Sequence, residues 1–169
     1  MDIVAIDFEA SCLPRHGRSF PIEVGIFDGC APPRSWLILP HGDWAGWHWS
    51  AEAQALHGLE MERILEYGLP AVQVMDELVR AVAGRRLIAD SAIDQYWLET
   101  LAAAAGQGAP PVIDHIALLL DEWRVSADEV AAAQARADRL QSRRHRAADD
   151  AHWLGLVLAG LAERFAVAA

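Results

Sequence analysis

The apolar positions of this chain fall first into short continuous runs and later into helical stripes. Residues 3–8 form a run rich in β-branched side chains, as in a strand covered on both faces. Residues 22–27 form a second run, ended by Asp28-Gly29, and residues 35–39 a third, ended by Pro40 and Gly42. Their short connections predict an antiparallel meander. After a stretch rich in Trp and Gly, residues 41–49, the period becomes helical. Ser50 is placed to cap a short helix through Leu56, and a second helix is predicted over 59–67. A third starts at Pro70 and carries Val72, Met75, Leu78, Val79 and Val82 on one face. Residues 86–89 read as a fourth strand. Ser91 can cap a helix running to Ala105, which Gly106 and Gly108 stop. A fifth strand at 112–113, a helix over 117–123 and an alanine-rich helix over 127–140 follow. The last helix, 147–165, has Leu154, Val157, Leu158, Leu161 and Phe165 as its apolar stripe. Strands first, then alternation with helices, imply an α/β fold with a mixed five-stranded sheet, antiparallel then parallel, flanked by helices. Without repeats or a linker, residues 1–169 are expected to form one domain.

Composition narrows the classes of function. At 53% apolar and 22% charged residues the chain can bury a sizeable core. Its start lacks the basic segment of a signal peptide, and the apolar stretch 154–162 is about half of a membrane span, so a cytoplasmic protein without a membrane partner is expected. Cys12 and Cys30 are too few for a disulfide scaffold, which fits a reducing compartment. The net charge is −10 and there is no lysine, which argues against coating long nucleic acid. A short oligonucleotide, a chain end or delivery by a partner suits that charge better. Arg136, Arg139, Arg143, Arg144 and Arg146 crowd around His145, either as a solvated helix face or as a phosphate-attracting patch.

Three short segments carry the candidate chemistry. Side chains alternate along a strand, so Asp7 and Glu9 share one face at the C-terminal end of the first strand. Two close like charges there are costly unless a cation neutralises them, and hard divalent ions prefer carboxylate oxygens. Asp94 stands three residues after Ser91, where it can complete a capping box or join the site that the fourth strand faces. His145 lies just before the last helix and Asp150 in its first turns. An imidazole there can take a proton near neutral pH. Each segment alone also has an ordinary structural explanation; together they suit a pair of divalent ions.

Taken with their flanks, Ile6-Asp7-Phe8-Glu9-Ala10, Ala92-Ile93-Asp94 and His145-Arg146-Ala147-Ala148 with Asp150 resemble the DEDDh family of 3′–5′ exonucleases. The resemblance extends to residues 21–25 and to Leu56-His57-Gly58-Leu59, and covers almost the whole chain. It implies a ribonuclease H-like fold and two Mg²⁺ or Mn²⁺ ions held by Asp7, Glu9, Asp94 and Asp150, with His145 as general base. Phe8, Ala10, His57 and Leu59 would contact substrate, Leu59 as a wedge against a terminal base. The implied partners are single-stranded RNA or DNA 3′ ends and short oligonucleotides, RNA favoured on the opening Asp-Phe-Glu-Ala-Ser-Cys. Ala10 replaces the family's Thr, and Ala89-Asp90 stands where many members carry His-Asn; these departures bear on substrate choice more than on catalysis.

Two other readings compete: a catalytically weak exonuclease-like module serving as a partner subunit, and a ribonuclease H-like nuclease that cuts internally. Trp44, Trp47 and Trp49 can stack on bases or pack the lid of the core, the second being preferred, and Trp97 is expected in the core. The last helix and the tryptophans could supply a homodimer surface.

Overall fold

Strand alternation sorts β1 (Ile3–Ala10) into two faces. Val4, Ile6 and Phe8 enter one apolar layer, while Ala5, Asp7 and Glu9 turn to the other. β2 (Pro21–Phe27) pairs antiparallel with β1, and β3 (Arg34–Leu37) antiparallel with β2. β4 (Arg86–Ala89) and β5 (Ile113–His115) add in parallel on the other side of β1. The sheet order is β3-β2-β1-β4-β5, the mixed five-stranded arrangement expected from the apolar runs. The computed structural model describes residues 2–166, with side chains through 163, so the Phe165 contribution to the last stripe lies outside the described residues.

One face is covered by α1 (Ala51–His57), α2 (Met61–Tyr67), α3 (Ala71–Val82) and α4 (Asp94–Ala104), which bury Leu59, Ile64, Met75, Leu78, Leu98 and Leu101. The other face is covered by α5 (Ile116–Glu122), α6 (Ala127–Leu140) and α7 (Ala147–Ala166). Ser50 caps α1 by accepting the Ala53 N–H, and Ser126 with Glu129 forms a capping box on α6. No helix among the described residues is long and apolar enough to cross a membrane.

Three expectations are corrected. The buried stripe of α3 is Ala71, Val74, Met75, Leu78 and Val82, while Val72 and Val79 are exposed. Val72 and Val79, seven residues apart, share the flank of that stripe, and Ala71 is buried on its other side. Pro70 is the N-cap of α3 and not its first helical residue. Ser91 caps a turn: its Oγ accepts the Ile93 N–H at 3.4 Å, and Asp94 is the first residue of α4. Asp94 therefore completes no capping box.

The apolar stripe of α7 packs against the sheet and α6, and Trp44 is buried, while Trp47 and Trp49 stay partly exposed.

Candidate active site

The C-terminal ends of β1 and β4, the start of α4 and the first turns of α7 meet at one edge of the sheet. A carboxylate oxygen from each of Asp7, Glu9 and Asp150 lies within 4.8 Å of the other two. A second triad, Asp7, Asp90 and Asp94, meets the same limit. Asp7 belongs to both. The four acids singled out in the sequence thus converge, joined by Asp90.

These groups are held together against their own repulsion. Burial, then the charges of Asp94, Glu9, Asp150 and Asp90, raises the Asp7 carboxyl well above its ordinary range. Glu9 is pushed up to about 8 by burial and by Asp150 and Glu23. Asp94 is pushed up to about 8 by burial, Asp90 and Glu9, and the Phe8 backbone hydrogen bond opposes the rise. Asp94 is 1% exposed and its Oδ2 has no hydrogen-bond partner. A buried carboxylate with an orphaned oxygen, close to two further carboxylates, is a donor set for a hard divalent cation.

His145 belongs to neither triad. Its backbone N–H donates to Asp150 Oδ2 at 2.6 Å, and its φ is +65°. The left-handed conformation costs about 1 kcal/mol or more in a residue with a Cβ, and here it turns the chain so that an exposed imidazole precedes the Asp150 helix. Arg144 pairs with the other oxygen of Asp150, and its guanidinium lies 4.2 Å from the centre of the Trp153 ring.

The start of α7 is positioned by β2. Glu23, 1% exposed, accepts from Arg146 Nε at 2.9 Å and Nη2 at 2.8 Å, and from the Ala147 N–H at 3.3 Å. A buried carboxylate needs such partners, and the bidentate guanidinium sets direction as well as charge. Two residues along, Gly25 leaves room for the Ala147 backbone, which any Cβ would overlap. Gly25→Ala is expected to lift the start of α7, lowering Tm by about 3–10 °C, from about 1–3 kcal/mol of overpacking. It should also shrink the melting-temperature rise that Mn²⁺ gives, because Asp150 moves with the helix. Native-like melting and an undiminished Mn²⁺ response would refute this role for Gly25.

A cleft of about 310 Å³ opens beside Glu9. Phe8, Ala10 and His57 line it, with Leu56 and Trp97 on its walls and Arg15 at its rim. Burial pushes His57 down to about 4, so it is neutral at pH 7. Its Nδ1 accepts the Leu59 N–H at 2.9 Å, which leaves the proton on Nε2, a buried donor with no partner. Leu59 is the correction here. It is fully buried beneath the other core residues and does not line the cleft. Gly58, at φ +67°, turns the chain inward there, and Leu56, 58% exposed, faces the cleft instead.

Trp44 stacks on Phe20 at 5.5 Å, Trp47 and Trp49 pack partly buried on the core, and Trp97 is buried with its Nε1 donating to Ser19 Oγ. The arginine cluster is not one open patch: Arg136 pairs with Glu163, Arg144 with Asp150 and Arg146 with Glu23.

Sequence reasoning passed over Asp90, Glu23 and Gly25 as site residues. Asp90 carried a usable signal, a carboxylate directly after a buried strand that ends beside β1. Glu23 and Gly25 share the β2 face opposite Ile22 and Val24, but only the packing of α7 shows what they meet.

This architecture has solved counterparts. A 3′-exonuclease in a structure of 3′-end-specific recognition of a histone mRNA stem-loop superposes with a TM-score of 0.70 at 15% identity, over 96% of this chain and 81% of that one. A full-length 3′-exonuclease gives 0.69 at 16% identity, over 97% of this chain and 60% of that one. E. coli Exonuclease I in complex with a dA16 oligonucleotide gives 0.68 at 11% identity, over 96% of this chain and 40% of that one. The fold is therefore the ribonuclease H-like fold of 3′-exonucleases. This chain spans less than two thirds of the full-length 3′-exonuclease and well under half of Exonuclease I. No family model and no curated protein sequence matches it.

Proposed function

We propose that this chain is a metal-dependent 3′–5′ exonuclease that releases nucleotides from single-stranded or short nucleic acid ends, RNA in preference to DNA, with Mg²⁺ or Mn²⁺. The observation that carries the reading is the pair of carboxylate triads joined at Asp7, beside a cleft of about 310 Å³. When bound, the two ions supply an activated water and charge stabilisation at the leaving 3′ oxygen.

The chain's own residues do the rest. Asp7, Glu9 and Asp150 would hold one ion, and Asp7 with Asp94 the other. His145 takes the proton of the attacking water, and its N–H on Asp150 ties base and ligand together. Phe8 and Ala10 form an apolar wall for the terminal base. His57, neutral with its proton on Nε2, offers a donor to a sugar or phosphate oxygen, since an unpaired buried donor favours any ligand that satisfies it.

The test is an end-labelled RNA and an end-labelled DNA incubated with Mn²⁺ and, separately, with EDTA. The expected result is a ladder shortening from the 3′ end only with metal, faster on RNA. No cleavage of either strand would overturn the enzyme reading in favour of a partner-binding module. Cutting of a circular substrate would show an internal nuclease.

A further inference from the structure

Asp90 has no place in the four-carboxylate set, yet it stands in the second triad with Asp7 and Asp94. Its position is built. It follows Ala89 at the end of β4, and its carbonyl is held by His115 Nε2 at 3.0 Å. His115 Nδ1 accepts the Ala117 N–H, so the proton that Nε2 donates to Asp90 is fixed there. Asp94 beside it is 1% exposed, and its Oδ2 has no hydrogen-bond partner in the protein.

We propose that Asp90 is a direct ligand of the second divalent ion, so that Asp7, Asp90 and Asp94 form an all-protein cation site occupied before nucleic acid arrives. The proposal rests on the two-ion reading above. Carboxylate number sets affinity for hard divalent ions, which otherwise keep several waters and lean on substrate phosphates. A third carboxylate makes the second site self-sufficient. The charges also balance: Asp7, Glu9, Asp90, Asp94 and Asp150 carry five negative charges, which two dications and Arg144 cancel. Without Asp90 the same set would be net positive by one and would need the substrate's phosphate to complete it.

The test is Mn²⁺ binding to the full chain without nucleic acid, read by calorimetry and by electron paramagnetic resonance of the free ion. The native chain is expected to bind two ions. Asp90→Asn, nearly isosteric, should keep one and bind the other at least about tenfold more weakly, a loss that even indirect metal contacts give. Asp149→Asn removes the same charge from outside both triads and should keep both ions. Equal binding by the native chain and Asp90→Asn would overturn the assignment of Asp90 while leaving the metal site in place. An equal loss in Asp149→Asn would overturn it too, by showing a charge effect in place of ligation. A native chain that binds no Mn²⁺ would instead defeat the two-ion reading itself.

Discussion

Asp7→Asn is expected to slow nucleotide release by at least about 10³-fold while the chain stays folded. The size follows from charge. Metal stabilisation of a phosphoryl transition state is worth several kcal/mol, and each 1.4 kcal/mol is a factor of ten. Asp7 alone belongs to both triads, so one amide weakens both positions. The fold should not suffer, because burial and four neighbouring acids already oppose the Asp7 charge. The metal-free variant should melt no lower than the native chain, by calorimetry. Retained release, or a collapsed fold, would remove Asp7 from the centre of the mechanism.

The second large effect concerns pH. In the metal-free chain Glu9 and Asp94 bind protons up to about pH 8, whereas in the unfolded chain they ionise in the ordinary carboxylate range. Between those limits the folded state holds more protons than the unfolded state, so stability falls as pH rises. His57 opposes this lower down: its folded value of about 4 lies below its ordinary 6.5, so it adds stability as pH climbs to about 6.5. The clean window is therefore about 6.5 to 8. Two carboxyls there cost roughly 2–3 kcal/mol per pH unit, or about 4–12 °C of Tm at this chain length. Saturating Mn²⁺ should flatten the slope, because an ion favours the ionised carboxylates that burial disfavours, and binding to the folded state alone raises Tm. A metal-free Tm that rises across this window, or one unmoved by Mn²⁺, would mean that the acids are not packed together as described.

Much of this was legible in the order of residues. The alternation along β1 alone put Asp7 and Glu9 on one face, and β4 and α6 were readable to their end residues because strong boundaries flank them. The place of Asp94 on that face followed from the strand end and helix start that share an edge, and that of Asp150 from the family resemblance. What was not legible depends on packing. Leu59 and Leu56 are equally apolar and three residues apart, and only the left-handed turn at Gly58 decides which enters the core. On α3 two overlapping stripes share Met75, Leu78 and Val82, so periodicity cannot choose between Val72 and Ala71. Asp90 departs from a motif, and only its carboxylate beside Asp94 gives it a place in the site. Gly25 was silent, since what it makes room for lies more than a hundred residues away in the chain.

The most direct test is an anomalous-scattering map from crystals of the native chain grown with Mn²⁺. Two manganese peaks should appear, both contacted by Asp7, one completed by Glu9 and Asp150 and the other by Asp94. Manganese elsewhere on the molecule with no peak at Asp7 would contradict the assignment of these acids to a metal-dependent nuclease.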